Sequence, residues 1–187
     1  MGKASDKRAK NVAVIANCLI NQNAKVYEFA FLPAMVDPLV DILRQHEYGL
    51  LQLPCPELTY IGVARWWAVR EQYDNPAYRR HAARILEPIV DQVDEYVKHG
   101  HKVVVVGLDG SPSCGVHLSG SSEQWGGRPE MPEAEYPVIS ARGVYIDELQ
   151  KALQARGISL PMIGAGFDVP NFDLGKELAR LGEFLSN

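Results

Sequence analysis

Lys102-Val103-Val104-Val105-Val106-Gly107 carries four consecutive β-branched residues closed by a glycine. An unbroken apolar run of this length, without polar alternation, predicts a strand buried on both faces, as in a parallel sheet covered by helices. The residues before it support that reading. Ala82, Ile85, Leu86, Ile89, Val93, Tyr96 and Val97 form a helical stripe over 77–99, and Gly100 stops it. Pro88 falls inside the stripe and predicts a kink or a break into two helices. Further upstream, 12–16 is a second continuous apolar run and 49–54 a third, with a helix over 35–46 between them and a loop over 17–33. The aromatic-rich stretch 58–76 has no clear period. Downstream the pattern predicts a helix over 145–156 stopped by Gly157, a strand over 158–164 and a closing helix over 172–185. Strands alternating with helices predict an α/β fold: an open, mostly parallel sheet with helices on both faces, Rossmann- or flavodoxin-like in order.

The 187 residues suit one domain over 11–187, after a basic tail over 1–10 (Lys3, Lys7, Arg8, Lys10) that is expected to be disordered. A net charge of −4 argues against binding intact nucleic acid. No apolar run is long enough to span a membrane. The segment 116–137, rich in Gly, Ser, Glu and Pro, is too long for a simple connection and reads as a loop or lid. An odd cysteine count of three fits a reducing compartment, so a cytoplasmic protein is expected, as a monomer or homodimer.

Those cysteines carry the chemical signal. Cys18 follows the first predicted strand, Cys55 the second, and Cys114 the third, within Gly110-Ser111-Pro112-Ser113-Cys114-Gly115. In an open α/β sheet the carboxyl ends of the strands share one edge, where ligands bind. Three thiols remote in sequence are therefore predicted to meet there. Structural zinc takes four ligands, commonly in closely spaced pairs, and that pairing is absent. A [4Fe–4S] cluster normally takes four thiolates, so three leave one iron for water, substrate or a cap such as Asp109 or His117. An open iron is a Lewis acid and suggests chemistry rather than electron storage. Glu57, in Pro54-Cys55-Pro56-Glu57, is a candidate general base. Pro56 and Pro112 stiffen the two turns.

Three blocks resemble the thiouracil desulfurase family of small iron–sulfur enzymes: Cys18-Leu19 with Lys25 downstream; Cys55-Pro56-Glu57 followed by Gly62 and Arg65; and Ser111-Pro112-Ser113-Cys114-Gly115. The third is the most specific. The sequence departs from the family's usual pattern at Asn21, at Lys25 and at Ala64-Arg65, where glycine, arginine and Pro-Arg are common. The resemblance implies a [4Fe–4S] cluster on Cys18, Cys55 and Cys114. It implies non-redox hydrolytic removal of sulfur from a small thiocarbonyl substrate such as a thiolated nucleobase, with catalytic roles for Glu57 and Ser111. Lys25, Arg65, Ser113 and Trp125 are the candidate substrate-binding residues. Two alternatives stand beside this reading: an enzyme on the same fold with Cys114 as nucleophile and no cluster, and a non-catalytic metal-binding or redox-sensing domain.

Overall fold

The structure, a computed structural model, describes residues 5–123, 138–169 and 171–186. Strand β1 (Asn11–Ala16) runs into the one-turn helix α1 (Asn17–Ile20) and a 3-10 turn at Gln22–Ala24. Helix α2 (Asp37–Gln45) leads back to β2 (Tyr48–Leu53). Three helices follow, α3 (Pro56–Tyr60), α4 (Arg70–Tyr73) and α5 (Pro76–Lys98), and then β3 (Lys102–Leu108). A two-residue antiparallel pair, β4 (Ser119–Gly120) and β5 (Val138–Ile139), precedes α6 (Val144–Gln154), β6 (Met162–Ala165) and α7 (Leu174–Ser186).

The main sheet has the order β2-β1-β3-β6 and all its pairs are parallel. The two central strands are β1 and β3, and both are buried along nearly their whole length. This is the environment that the valine run demands. From β1 the chain moves to one side, to β2. From β2 it crosses to β3, and from β3 it continues outward to β6. Right-handed crossovers in opposite directions place their helices on opposite faces. Accordingly α5 packs on α6, whereas α2 packs on α7. The path reverses between β1 and β3, so the crevice beyond their carboxyl ends is the topological switch point, where α/β sheets bind ligands.

Several details differ from the sequence reading. Helix α5 is one element through Pro88. The proline and Arg84, whose carbonyl loses its partner, both lie on the exposed face, where water can satisfy that carbonyl. Strand β6 begins at Met162 rather than at 158, directly after Pro161, which has no N–H to give to a ladder. The loop expected over 17–33 contains α1 and the 3-10 turn, and the unassigned stretch 58–76 contains the end of α3 and all of α4. Residues 5–10 have no regular structure and are exposed. Of the lid segment, 116–123 is described, and Trp125 lies outside the described residues. Among the described residues no helix is long and apolar enough to cross a membrane.

Candidate functional site

Each cysteine is delivered by the exit of a different strand. Cys18 sits in α1, immediately after β1. The Gln22 side chain pins this turn: its Nε2 donates to the Cys18 carbonyl at 2.6 Å, and its Oε1 accepts from the Phe31 amide at 3.2 Å. Cys55 follows β2 by two residues and is the N-cap of α3, with Pro56 at the first helical position. Its Sγ accepts from the Leu58 amide at 3.4 Å. From the other side Thr59 donates its hydroxyl to the Cys55 carbonyl at 2.7 Å, and His81 Nε2 lies 2.8 Å from that hydroxyl.

Cys114 lies in a tight loop after β3, and Ser111 organises it. Ser111 Oγ accepts from the amides of Ser113 (3.3 Å) and Cys114 (3.0 Å). The loop in turn satisfies the start of α6, whose first amides have no partner within the helix. Val144 donates to the Pro112 carbonyl at 3.1 Å and Tyr145 to the Ser113 carbonyl at 3.0 Å, while Gly143 donates to Gly115 at 2.9 Å. Two of the glycines that shape this turn show why no larger residue fits. A Cβ on Gly107 would stand 2.4 Å from the Cys114 carbonyl oxygen. Gly110 has φ +91, and a Cβ there would meet the Asp168 carbonyl oxygen at 2.7 Å.

The three thiols line one cleft of about 580 Å³ that opens to solvent, together with Glu57, Arg65, Lys25, Asp168 and Ser111. Phe29, Trp67, Val26 and Pro112 supply its apolar surface. Trp67 is fixed there by a 2.8 Å bond from its Nε1 to the Tyr27 carbonyl and by edge-on contact with Phe29. Its neighbour Trp66 is 79% exposed. Of the proposed catalytic and substrate-binding residues among those described, Ser113 is turned away from the cleft: it is fully buried and its Oγ lies 2.7 Å from the Tyr78 hydroxyl.

Two buried ion pairs flank the thiols. Arg65 Nε donates to Glu57 Oε2 at 3.0 Å, with side-chain exposures of 3% and 12%. The same guanidinium donates to the carbonyls of Ala24 (2.8 Å) and Gly62 (3.3 Å). It therefore ties the Cys18 turn to the Cys55 helix. Lys25 pairs with Asp168, with exposures of 4% and 11%. Asp168 was not found from sequence. The signal for it was positional: it lies two residues beyond Gly164-Ala165-Gly166, at the carboxyl end of β6 and on the same edge as the cysteines.

Burial dominates the acidity of the thiols. It pushes Cys18 up to about 12, with Lys25 opposing the rise and Asp168 adding to it. Burial and then Glu57 raise Cys55, while the Leu58 amide and Arg65 oppose. Cys114 is raised well above the usual thiol range, by burial and then by Cys18 and Cys55. The three thiols are thus close enough to act on one another.

Asp109 and His117, the possible caps, point elsewhere. Asp109 Oδ1 accepts from the amides of Val116 (2.8 Å), His117 (2.8 Å) and Leu118 (3.3 Å) and holds the loop beyond Cys114. His117 lines a separate cavity with Arg142 and Gln154.

Among the described residues, no three His, Cys, Asp or Glu side chains are grouped to hold a single metal ion. The three thiols that line the cleft are soft donors of the kind that would fit an iron–sulfur core. Two further polar atoms lie near the thiols. The hydroxyls of Tyr73 and Tyr145 are buried without a hydrogen-bond partner among the described residues. Cys55 acts on both phenols, Glu57 and Arg65 also on Tyr73, and Cys114 also on Tyr145.

Residues 11–145 match the family model described as "Putative 2-thiouracil desulfurase". An uncharacterized protein of Methanocaldococcus jannaschii, MJ0003, is 34% identical over 109 residues, covering 58% of this chain and 70% of the relative. No solved structure matches.

Proposed function

The chain belongs to the 2-thiouracil desulfurase family, and from that membership we propose that it is an iron–sulfur desulfidase acting on a small thiocarbonyl compound such as a thiolated nucleobase. The observation that carries the reading is the convergence of Cys18, Cys55 and Cys114, from three adjacent parallel strands, on one cleft that also holds a carboxylate. The three thiolates would hold a [4Fe–4S] cluster, which supplies a Lewis-acidic iron with a coordination position free of protein.

The residues of the chain perform the rest. Trp67 and Phe29 offer aromatic surface to a flat ring. Lys25 and Asp168 present a donor and an acceptor to the ring's carbonyl and N–H groups. Glu57 accepts a proton from water, and Arg65 fixes the direction of its carboxylate. The oxygen of that water forms the new bond to the thiocarbonyl carbon as the bond to sulfur breaks. One water and one C=S give one C=O and hydrogen sulfide, with no change of oxidation state. The oxygen of Ser111 is held by two amides, so its O–H is the donor that remains for the substrate. Reducing conditions would preserve the thiols, which supports a cytoplasmic location. The reading with Cys114 as nucleophile is the less supported one, because His117 faces another cavity and burial raises the thiol well above its usual range.

Anaerobic purification with iron and sulfide quantitation tests the proposal. The expected result is about four irons per chain and a broad visible absorbance, lost when any one cysteine becomes serine. A colourless preparation after anaerobic reconstitution with iron and sulfide overturns it. Glu57→Gln is expected to keep the absorbance and lower turnover by about 10²–10⁴-fold.

A further inference from the structure

The wall behind the cysteines carries three buried tyrosines, and their hydroxyls differ in one respect. Tyr78 reaches Ser113 at 2.7 Å. Tyr73 and Tyr145 make no hydrogen bond of normal geometry among the described residues, although the Glu57 carboxylate lies near the Tyr73 hydroxyl. A buried hydroxyl without a partner is costly, so a native fold keeps one where an occupant of the site supplies the acceptor.

Tyr145 is the more tightly specified of the two. It is fully buried and stands in the first turn of α6. Its own amide donates to the Ser113 carbonyl at 3.0 Å, and the next amide, of Ile146, donates to the same oxygen at 3.3 Å. Its backbone is therefore locked to the residue that precedes Cys114. Gly143 closes the joint, since a Cβ there would stand 2.3 Å from the Ser113 carbonyl oxygen. The ionisable groups that act on its phenol are Cys114 and Cys55. The backbone that carries this ring is thus tied to the Cys114 loop, and Cys114 and Cys55 are near enough to act on its unpaired hydroxyl.

We infer that Tyr145 is a positioning residue for the metal centre, donating its hydroxyl hydrogen to the anionic sulfur held at Cys55 and Cys114. The inference rests on the desulfidase reading above and adds to it an outer ligand-supporting residue that does not touch substrate. Outer partners of this kind orient metal ligands, and hydrogen bonds to sulfur stabilise the more negative, reduced form of a cluster.

The test compares Tyr145→Phe with wild type and with Tyr48→Phe, a buried tyrosine bonded to the Leu185 carbonyl far from the site. Each protein is reconstituted anaerobically with iron and sulfide. Loss of iron to a chelator is expected to be about 10–100-fold faster in Tyr145→Phe, its reduction potential more negative and its iron–sulfur stretching bands shifted. Tyr48→Phe is expected to match wild type in all three. In the metal-free protein Tyr145→Phe is expected to melt no lower than wild type, because no protein acceptor is lost. Equal iron loss, potential and vibrational bands in Tyr145→Phe and wild type overturn this inference alone. A lowered melting temperature of the metal-free variant also overturns it, by showing that the hydroxyl's partner is in the protein. Failure of wild type to take up iron and sulfide overturns the desulfidase reading, and this inference with it.

Discussion

Replacement of Arg65 by methionine tests whether the two halves of the cysteine site are held together by one guanidinium. Arg65 donates to Glu57 on α3, to Gly62 just beyond it and to Ala24 in the turn after Cys18. Methionine matches much of the aliphatic stem but leaves the Glu57 carboxylate, with 12% of its side chain exposed, without its cation. Breaking a buried pair from one side costs about 3–5 kcal/mol, most of it from the abandoned charge. For a chain of this size each kcal/mol moves the melting temperature by about 2–4 °C. The metal-free, reduced variant is therefore expected to melt about 6–20 °C lower. The double variant Arg65→Met/Glu57→Gln removes the stranded charge, and is expected to recover much of the loss. Arg65→Lys keeps the charge but cannot reach three acceptors with one planar fork, and is expected to fall between. Thermal unfolding followed by circular dichroism under reducing conditions, with a chelator present, reads these four proteins and the Glu57→Gln single variant. A shift under about 2 °C in Arg65→Met, or additive effects in the double variant, would refute the reasoning, because neither is compatible with a coupled buried pair.

Other perturbations probe separate parts of the site. In the metal-free protein the thiols should make stability fall with rising pH. Cys18 is raised to about 12 by burial, so between the ordinary thiol value of 9.0 and that point the unfolded chain has lost protons that the folded chain still holds. Below that window the thiols contribute no slope, and Cys18→Ala should flatten the decline in urea-unfolding curves collected across it. Ser111→Ala removes the acceptor for two loop amides and is expected to lower stability by about 1–2 kcal/mol, with Ser111→Thr recovering most of it. A Cβ on Gly164 would fall 2.0 Å from Asp109 Oδ1, so Gly164→Ala is expected to cost about 3 kcal/mol or more in chemical denaturation. A Gly164→Ala protein of wild-type stability would mean that Asp109 does not need its present seat.

The sequence disclosed what depends on period and on sheet logic. Four valines in succession specify a central strand because only a site covered on both faces tolerates them, and β3 occupies that site. The three strand exits specified a shared edge for the cysteines, since parallel strands all end on one side. Lys25 and Arg65 stood out only as basic residues in a family pattern, and pattern carries no partner. Their counter-ions Asp168 and Glu57 lie 143 and 8 residues away, and the longer pairing is set by the approach of the β6 exit to the β1 exit. Ser113 misled for a physical reason. It shares a loop with Ser111, but the start of α6 draws the backbone between them so that one hydroxyl faces the cleft and the other faces Tyr78. Tyr73 and Tyr145 gave no signal, the first because its stretch has no clear period and the second because a tyrosine on a helical stripe reads as core until the absence of a partner for its hydroxyl is seen.

Charge balance links these pieces to the proposed chemistry. Each cation at the cleft is matched by a carboxylate, Arg65 by Glu57 and Lys25 by Asp168, so the protein adds little net charge to the thiols. Lys25 and Arg65 favour the thiolates of Cys18 and Cys55, but Asp168 and Glu57 oppose them, and burial outweighs all four. The protein alone therefore favours neutral thiols, and the proposed cationic core would supply the attraction that keeps them ionised. Loading such a core should release protons, one for each thiol that becomes a thiolate. Proton release in weakly buffered medium during anaerobic reconstitution measures that number directly. Replacing Asp168 by asparagine removes one charge that opposes the Cys18 thiolate, but burial outweighs it, so the release is expected to stay the same. A reduced release in Asp168→Asn would show that the flanking pairs, rather than burial, set the charge state of the thiols.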